Sequence, residues 1–75
     1  EKLRPEDPLV HYNLACSFSL MEMHSESLEA LEKAIDLGYD DLEHLVNDSD
    51  LDDVKNEEGY KVLIHKLKQS SRKNV

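Results

Sequence analysis

The chain has 75 residues, 35% of them charged, with a single cysteine and a formal charge of −8. That length is near the lower limit for one independently stable core, and a lone cysteine excludes an internal disulfide as a staple. An acidic surface has the wrong sign for phosphate backbones, and no apolar run approaches the roughly 20 residues that span a bilayer, so neither nucleic acid nor membrane is an expected partner.

The charge is unevenly placed. All 17 acidic residues lie within 1–59, beside only Lys2, Arg4, Lys33 and Lys55, whereas 60–75 carries Lys61, Lys66, Lys68, Arg72, Lys73 and no acid. Cations at the end of a last helix complement its dipole, so the basic end reads as a helix terminus and solvated tail. Cys16 is compatible with a reducing compartment such as the cytoplasm, without establishing one. The chain opens Glu1-Lys2 with no initiating Met or apolar leader, which suggests a piece of a longer protein.

Residues 1–7 read as the end of a preceding unit, because Pro5 stops a helix that Leu3 would close. Asp7-Pro8 is an N-cap followed by a first helical residue, and predicts a helix over about 8–21. Tyr12, Leu14, Ala15 and Phe18 fall at helical spacing within it. Glu22-Met23-His24 is the expected turn. A second helix over about 25–37 places Leu28, Leu31, Ala34 and Ile35 inward, and Gly38 suits the left-handed position that follows. Ala15 and Ala34 are expected where the two helices cross, since small side chains admit close backbone approach.

Beyond Gly38, Asp40-x-x-Glu43 predicts a capping box for a short helix carrying Leu42, Leu45 and Val46. Residues 47–53, NDSDLDD, read as an acidic linking loop, with Leu51 and Val54 the only apolar anchors in a short turn. A last helix over about 57–69 aligns Tyr60, Leu63, Ile64 and Leu67, and 70–75 is expected to be a disordered tail. Helices without a strand signal give an all-α fold.

The stretch 8–41 resembles one tetratricopeptide (TPR) unit in its 34-residue length and its small-residue pattern. Leu14-Ala15 matches the family's large-then-small pair, Phe18 its aromatic, Leu31 its large residue in the second helix and Ala34 its late alanine. His11, Ser27 and Tyr39 depart from the family's bulky apolar residue, alanine and closing proline. A missing proline and a diverging tail resemble the last unit of an array, in which 42–69 forms capping helices. The resemblance implies a TPR-type antiparallel helix hairpin, followed by a short helix and a C-terminal capping helix.

It also implies a non-catalytic interaction or scaffold module that binds a protein or peptide on its first-helix face. Carried over by position, that face includes Leu9, Tyr12, Cys16, Ser19 and Leu20, with Asp40 and Asp41 beside it favouring a basic partner. Tyr12 and Cys16 stand where chaperone-tail receptors carry lysine and asparagine, so that particular specificity is not implied. The flank of the first helix left without upstream repeats is expected to leave the isolated chain marginally stable or to make it self-associate.

A different class rests on Asp48–Asp53. Asp48, Asp50 and Asp52 alternate like calcium-loop ligands, but the loop's required glycine and bidentate glutamate are replaced by Asp53 and Gly59. Asp48-Ser49 resembles the modified serine motif of acyl carrier proteins, with Asp50 where that motif has leucine. A small acidic carrier or calcium-responsive domain is therefore the alternative function. The four histidines share no metal-ligand spacing, and Cys16 has no neighbouring cation in sequence to activate it. No cofactor or catalytic residue is predicted.

Overall fold

The structure is a computed structural model that describes residues 7–72, with side chains to residue 69. The described residues form α1 (Pro8–Leu20), α2 (His24–Asp36), α3 (Leu42–Asn47), a 3-10 segment (Ser49–Val54) and α4 (Glu58–Arg72), an all-α fold. None of these helices is long and apolar enough to cross a membrane. The expected end of a preceding unit falls almost wholly in residues 1–6, outside the described residues.

Local chemistry sets the hairpin. The Asp7 carboxylate caps α1 by accepting from the Leu9 amide at 2.9 Å, with Pro8 in the first turn. Both helices of the hairpin then end in the same paired-bond turn. After α1, the Met23 and Glu22 amides donate to the Phe18 and Ser19 carbonyls; after α2, the Tyr39 and Gly38 amides donate to those of Ala34 and Ile35. The left-handed position is filled by Gly38 in one case (φ +117°) and by Glu22 in the other (φ +61°). Glutamate bears the steric cost that glycine avoids, which is why the first turn carries no glycine signal in the sequence.

Ala15 and Ala34 are fully buried, and α1 packs more extensively on α2 than on any other element. Ser27 is a further small residue buried in α2. Its hydroxyl donates to the Ala15 carbonyl at 2.7 Å, so the extra polar atom is satisfied inside the hairpin. Gly59 performs a similar spacing role in the first turn of α4. A Cβ there would stand 3.0 Å from Leu28 Cδ1, so its absence lets α4 approach α2. Lys66 ties the same two helices at the surface, 2.6 Å from Asp36 and 3.7 Å from Glu32.

Three expectations for 40–75 are corrected. The capping residue of α3 is Asp41, whose carboxylate accepts from the His44 amide at 3.1 Å, rather than Asp40; the Asp40–Glu43 box does not start this helix. The acidic loop is wound into a 3-10 segment, in which the expected anchors Leu51 and Val54 are both fully buried. Helix α4 continues to Arg72, so 70–72 is helical where the sequence predicts a disordered tail. Residues 73–75 lie outside the described residues.

Candidate functional site

Helix α1 has no Asp, Glu, Lys or Arg between Pro8 and Met21, although charged residues make up 35% of the chain. Its apolar residues lie all the way round the helix, the pattern of a helix buried on more than one side. The fold covers only one side. The molecule is 18 Å through its thinnest dimension, less than two full helix diameters, so elements that pack on one side of α1 leave the other facing solvent.

The covered side contains Tyr12, Cys16 and Ser19, which are 4%, 9% and 0% exposed. Their spacing puts them on one stripe, which the repeat resemblance implies to be an open recognition face. The structure instead buries them: the 3-10 segment packs along α1, with Leu51 and Val54 supplying the apolar cover. Burying Leu51 alone is worth about 1.5–3 kcal/mol relative to leaving it exposed, enough to hold a six-residue segment against the helix.

A polar knot sits at the edge of this cover. The Tyr12 hydroxyl donates to Asp48 Oδ2 at 2.6 Å, and the Cys16 thiol donates to the same oxygen at 3.6 Å. His44 Nε2 lies 3.5 Å from it, and Asp48 Oδ1 accepts from the Asp50 amide at 3.0 Å. Tyr39 stacks on Tyr12 with ring centroids 4.6 Å apart. Burial alone would raise the Asp48 pKa, but the hydrogen bonds from Tyr12, the Asp50 amide and Cys16, with His44 nearby, hold it below the ordinary carboxylate value. Burial, then the Asp48 charge, pushes the Cys16 thiol up to about 12, so the isolated thiol is a poor nucleophile. The Tyr39 hydroxyl is likewise pushed up to about 12, first by burial.

The uncovered side carries the remaining apolar surface. Leu9 is 57% and Leu14 42% exposed, and with Val10, Asn13 and Ser17 they line an open groove of ≈ 480 Å³ that begins at Asp7. Leu20 and Met21 continue the exposed apolar surface at the end of α1. The predicted site thus divides. Leu9 and Leu20 are at the surface, Tyr12, Cys16 and Ser19 are core, and Asp40 and Asp41 are exposed, with Asp41 engaged as the α3 cap.

Sequence reasoning missed Asn13 and Leu14 as surface and Val10 as half-buried beside them, because the resemblance places Leu14 at a packing position. The signal that finds this side is the uncharged run from residue 8 to 21. It also missed Asp48, Tyr39 and His44 as one cluster, for which no local spacing gives a sign. Asp48, Asp50 and Asp52 do not converge as three loop ligands: Asp48 turns to Tyr12 with Asp50 beside it, and Asp52 pairs with Lys55 at 2.9 Å.

No protein-family model matches the chain, and no solved structure matches it. A chloroplastic protein of Arabidopsis thaliana is 31% identical over 70 residues, which cover 92% of this chain and 21% of that protein. The chain therefore spans about a fifth of the length of this curated relative.

Proposed function

We propose that the chain is a closing repeat of TPR type with its cap, a non-catalytic protein-interaction element that docks another helical surface on the open side of α1. The observation that carries this is the charge-free α1, apolar all round and covered on one side only. Depletion of charge at the centre of an apolar patch is the compositional mark of an interface core. The hairpin's small-residue crossings at Ala15 and Ala34 support the repeat assignment, and the buried Leu51 and Val54 support the role of residues 42–69 as a cap. With Tyr12, Cys16 and Ser19 occupied by the chain itself, recognition moves from the stripe that includes them to Leu9, Val10 and Leu14. Acidic residues elsewhere on the surface favour a partner with basic flanks.

Sedimentation equilibrium tests this. Without its partner the open side should drive concentration-dependent self-association. Leu14→Asp should abolish that association while leaving the helical circular dichroism spectrum unchanged. A strictly monomeric chain at high concentration, or association that persists in Leu14→Asp, would remove the basis for docking on this side.

A further inference from the structure

Helices α2 and α4 meet along a seam that advances with both chains, from Leu28 against Gly59 to Asp36 against Lys66. The exposed ridge of α2 beside this seam carries Glu29, Glu32 and Asp36 at helical spacing. Toward the far end of the seam α4 answers that ridge with a cation, because Lys66 lies 2.6 Å from Asp36 and 3.7 Å from Glu32. Nearer its start α4 offers none. Gly59 and Val62 share a groove with Glu29 there, and Glu29 has no ion-pair or hydrogen-bond partner among the described residues.

This groove between the two helices is open and has a volume of ≈ 360 Å³. Its lining is apolar at the base and acidic at the rim. Leu63 is buried, Leu28 half-buried and Val62 56% exposed, while Glu29 and Glu32 stand at the edge. Gly59 contributes no side chain to fill it. The apolar lining and the unanswered carboxylate together describe what the groove lacks: a long side chain with an aliphatic stem and a positive head.

We propose that the α2–α4 groove docks a segment of a partner protein that carries lysine or arginine beside an apolar residue. The stem of the basic side chain lies on Leu28, Val62 and Leu63, and its charged head reaches Glu29 and Glu32. Long basic side chains settle in this way on apolar surface while their charge stays at the wet edge. Lys66 does the same from within the chain, one step further along the ridge. A purely apolar segment fits less well, because it would strip water from Glu29 without giving it a partner. Nucleic acid and anionic lipid have the wrong sign for this rim. The proposal does not rest on docking at α1, which takes no part in the groove.

The test follows the fluorescence anisotropy of a labelled amphipathic peptide, with lysine and leucine on one face, as the chain is added. Binding should weaken with added salt. Glu29→Lys should lower affinity about tenfold or more. Val62→Lys supplies the missing cation from α4 itself and should do the same, with the helical circular dichroism spectrum unchanged. Glu43→Lys makes the same charge change on exposed α3 surface and should cost far less. A peptide with serine in place of leucine should bind more weakly than the parent peptide. Equal losses in Glu29→Lys and Glu43→Lys would reduce the binding to net charge and overturn the site. Undiminished binding in Val62→Lys, or no binding to the unmodified chain, would overturn it too. Leu14→Asp should leave peptide affinity unchanged; a loss there would place the peptide on α1 and contradict the assignment, whatever the chain's own association does.

Discussion

The covered and open sides of α1 are built from the same kinds of residue and have opposite fates. Tyr12, Cys16 and Ser19 are no more apolar than Leu9, Val10 and Leu14, yet the first set is core, whereas Leu9 and Leu14 are exposed and Val10 is only half-buried. Composition of the helix does not decide which side is buried. What decides it is a segment more than 30 residues away, whose Leu51, Val54 and Asp48 match one side in shape and hydrogen bonding. A helix face that looks like a binding groove in sequence can be the seat of the chain's own cap.

The largest effect expected from this contrast is on stability. Leu51→Ala should destabilise the chain by about 2–5 kcal/mol, since it empties a fully buried position. Leu9→Ala on the open side should change stability by less than about 0.5 kcal/mol. Chemical denaturation of the two variants measures both, and equal losses would erase the distinction between the sides.

Next in size is the clasp, and its pH dependence separates the sides by sign. Asp48→Ala leaves the buried Tyr12 hydroxyl without its acceptor, at a cost of about 1–3 kcal/mol. Asp48 has its folded pKa lowered, so its contribution is present above the ordinary value of 3.8 and is lost as pH falls through the lower folded value. Cys16 has its folded pKa raised from 9.0 to about 12, so its contribution is complete below pH 9.0 and is lost as pH rises through about 12. Urea midpoints across pH should therefore decline at both extremes. Asp48→Asn should flatten the acid limb and Cys16→Ala the alkaline one, whereas Leu14→Ala should leave the shape of the profile unchanged.

The smallest expected effect belongs to neither side. Glu22 holds a left-handed conformation at the end of α1 that costs an L-residue about 1–2 kcal/mol, against about 0.5–1 kcal/mol of extra chain entropy for glycine. Glu22→Gly should raise stability by up to about 1 kcal/mol, read as a higher melting temperature, with self-association unaltered. A lower melting temperature would mean that the glutamate side chain makes a stabilising contact that outweighs the backbone strain.

What was legible in the sequence was local. Asp7-Pro8 and Gly38 mark helix ends through bonds spanning a few residues, and Ala15 and Ala34 announce a close crossing between helices joined by a short turn. The Tyr12–Asp48 bond spans 36 residues, and no spacing rule reaches that far. Asp40 and Asp41 offer the same cap chemistry one residue apart, and only the path of the chain after Tyr39 chooses between them. The helix of α4 runs past Gln69 because Ser70, Ser71 and Arg72 contain no glycine or proline to stop it. For the candidate site, the uncharged run sets α1 apart from the other helices, while the side of it that stays open depends on a cap whose docking is a tertiary event.

Reactivity of the chain's single thiol tests that choice most directly. Cys16 is the only cysteine, so labelling by a thiol-reactive disulfide reagent reports on one residue of the covered side. If the 3-10 segment closes this side, native Cys16 should react far more slowly than in urea-unfolded chain at the same pH, through transient opening. Asp48→Ala should speed the reaction, and Leu14→Asp should leave it unchanged. Labelling of the native chain at the unfolded rate would contradict the account and return Tyr12, Cys16 and Ser19 to an open groove.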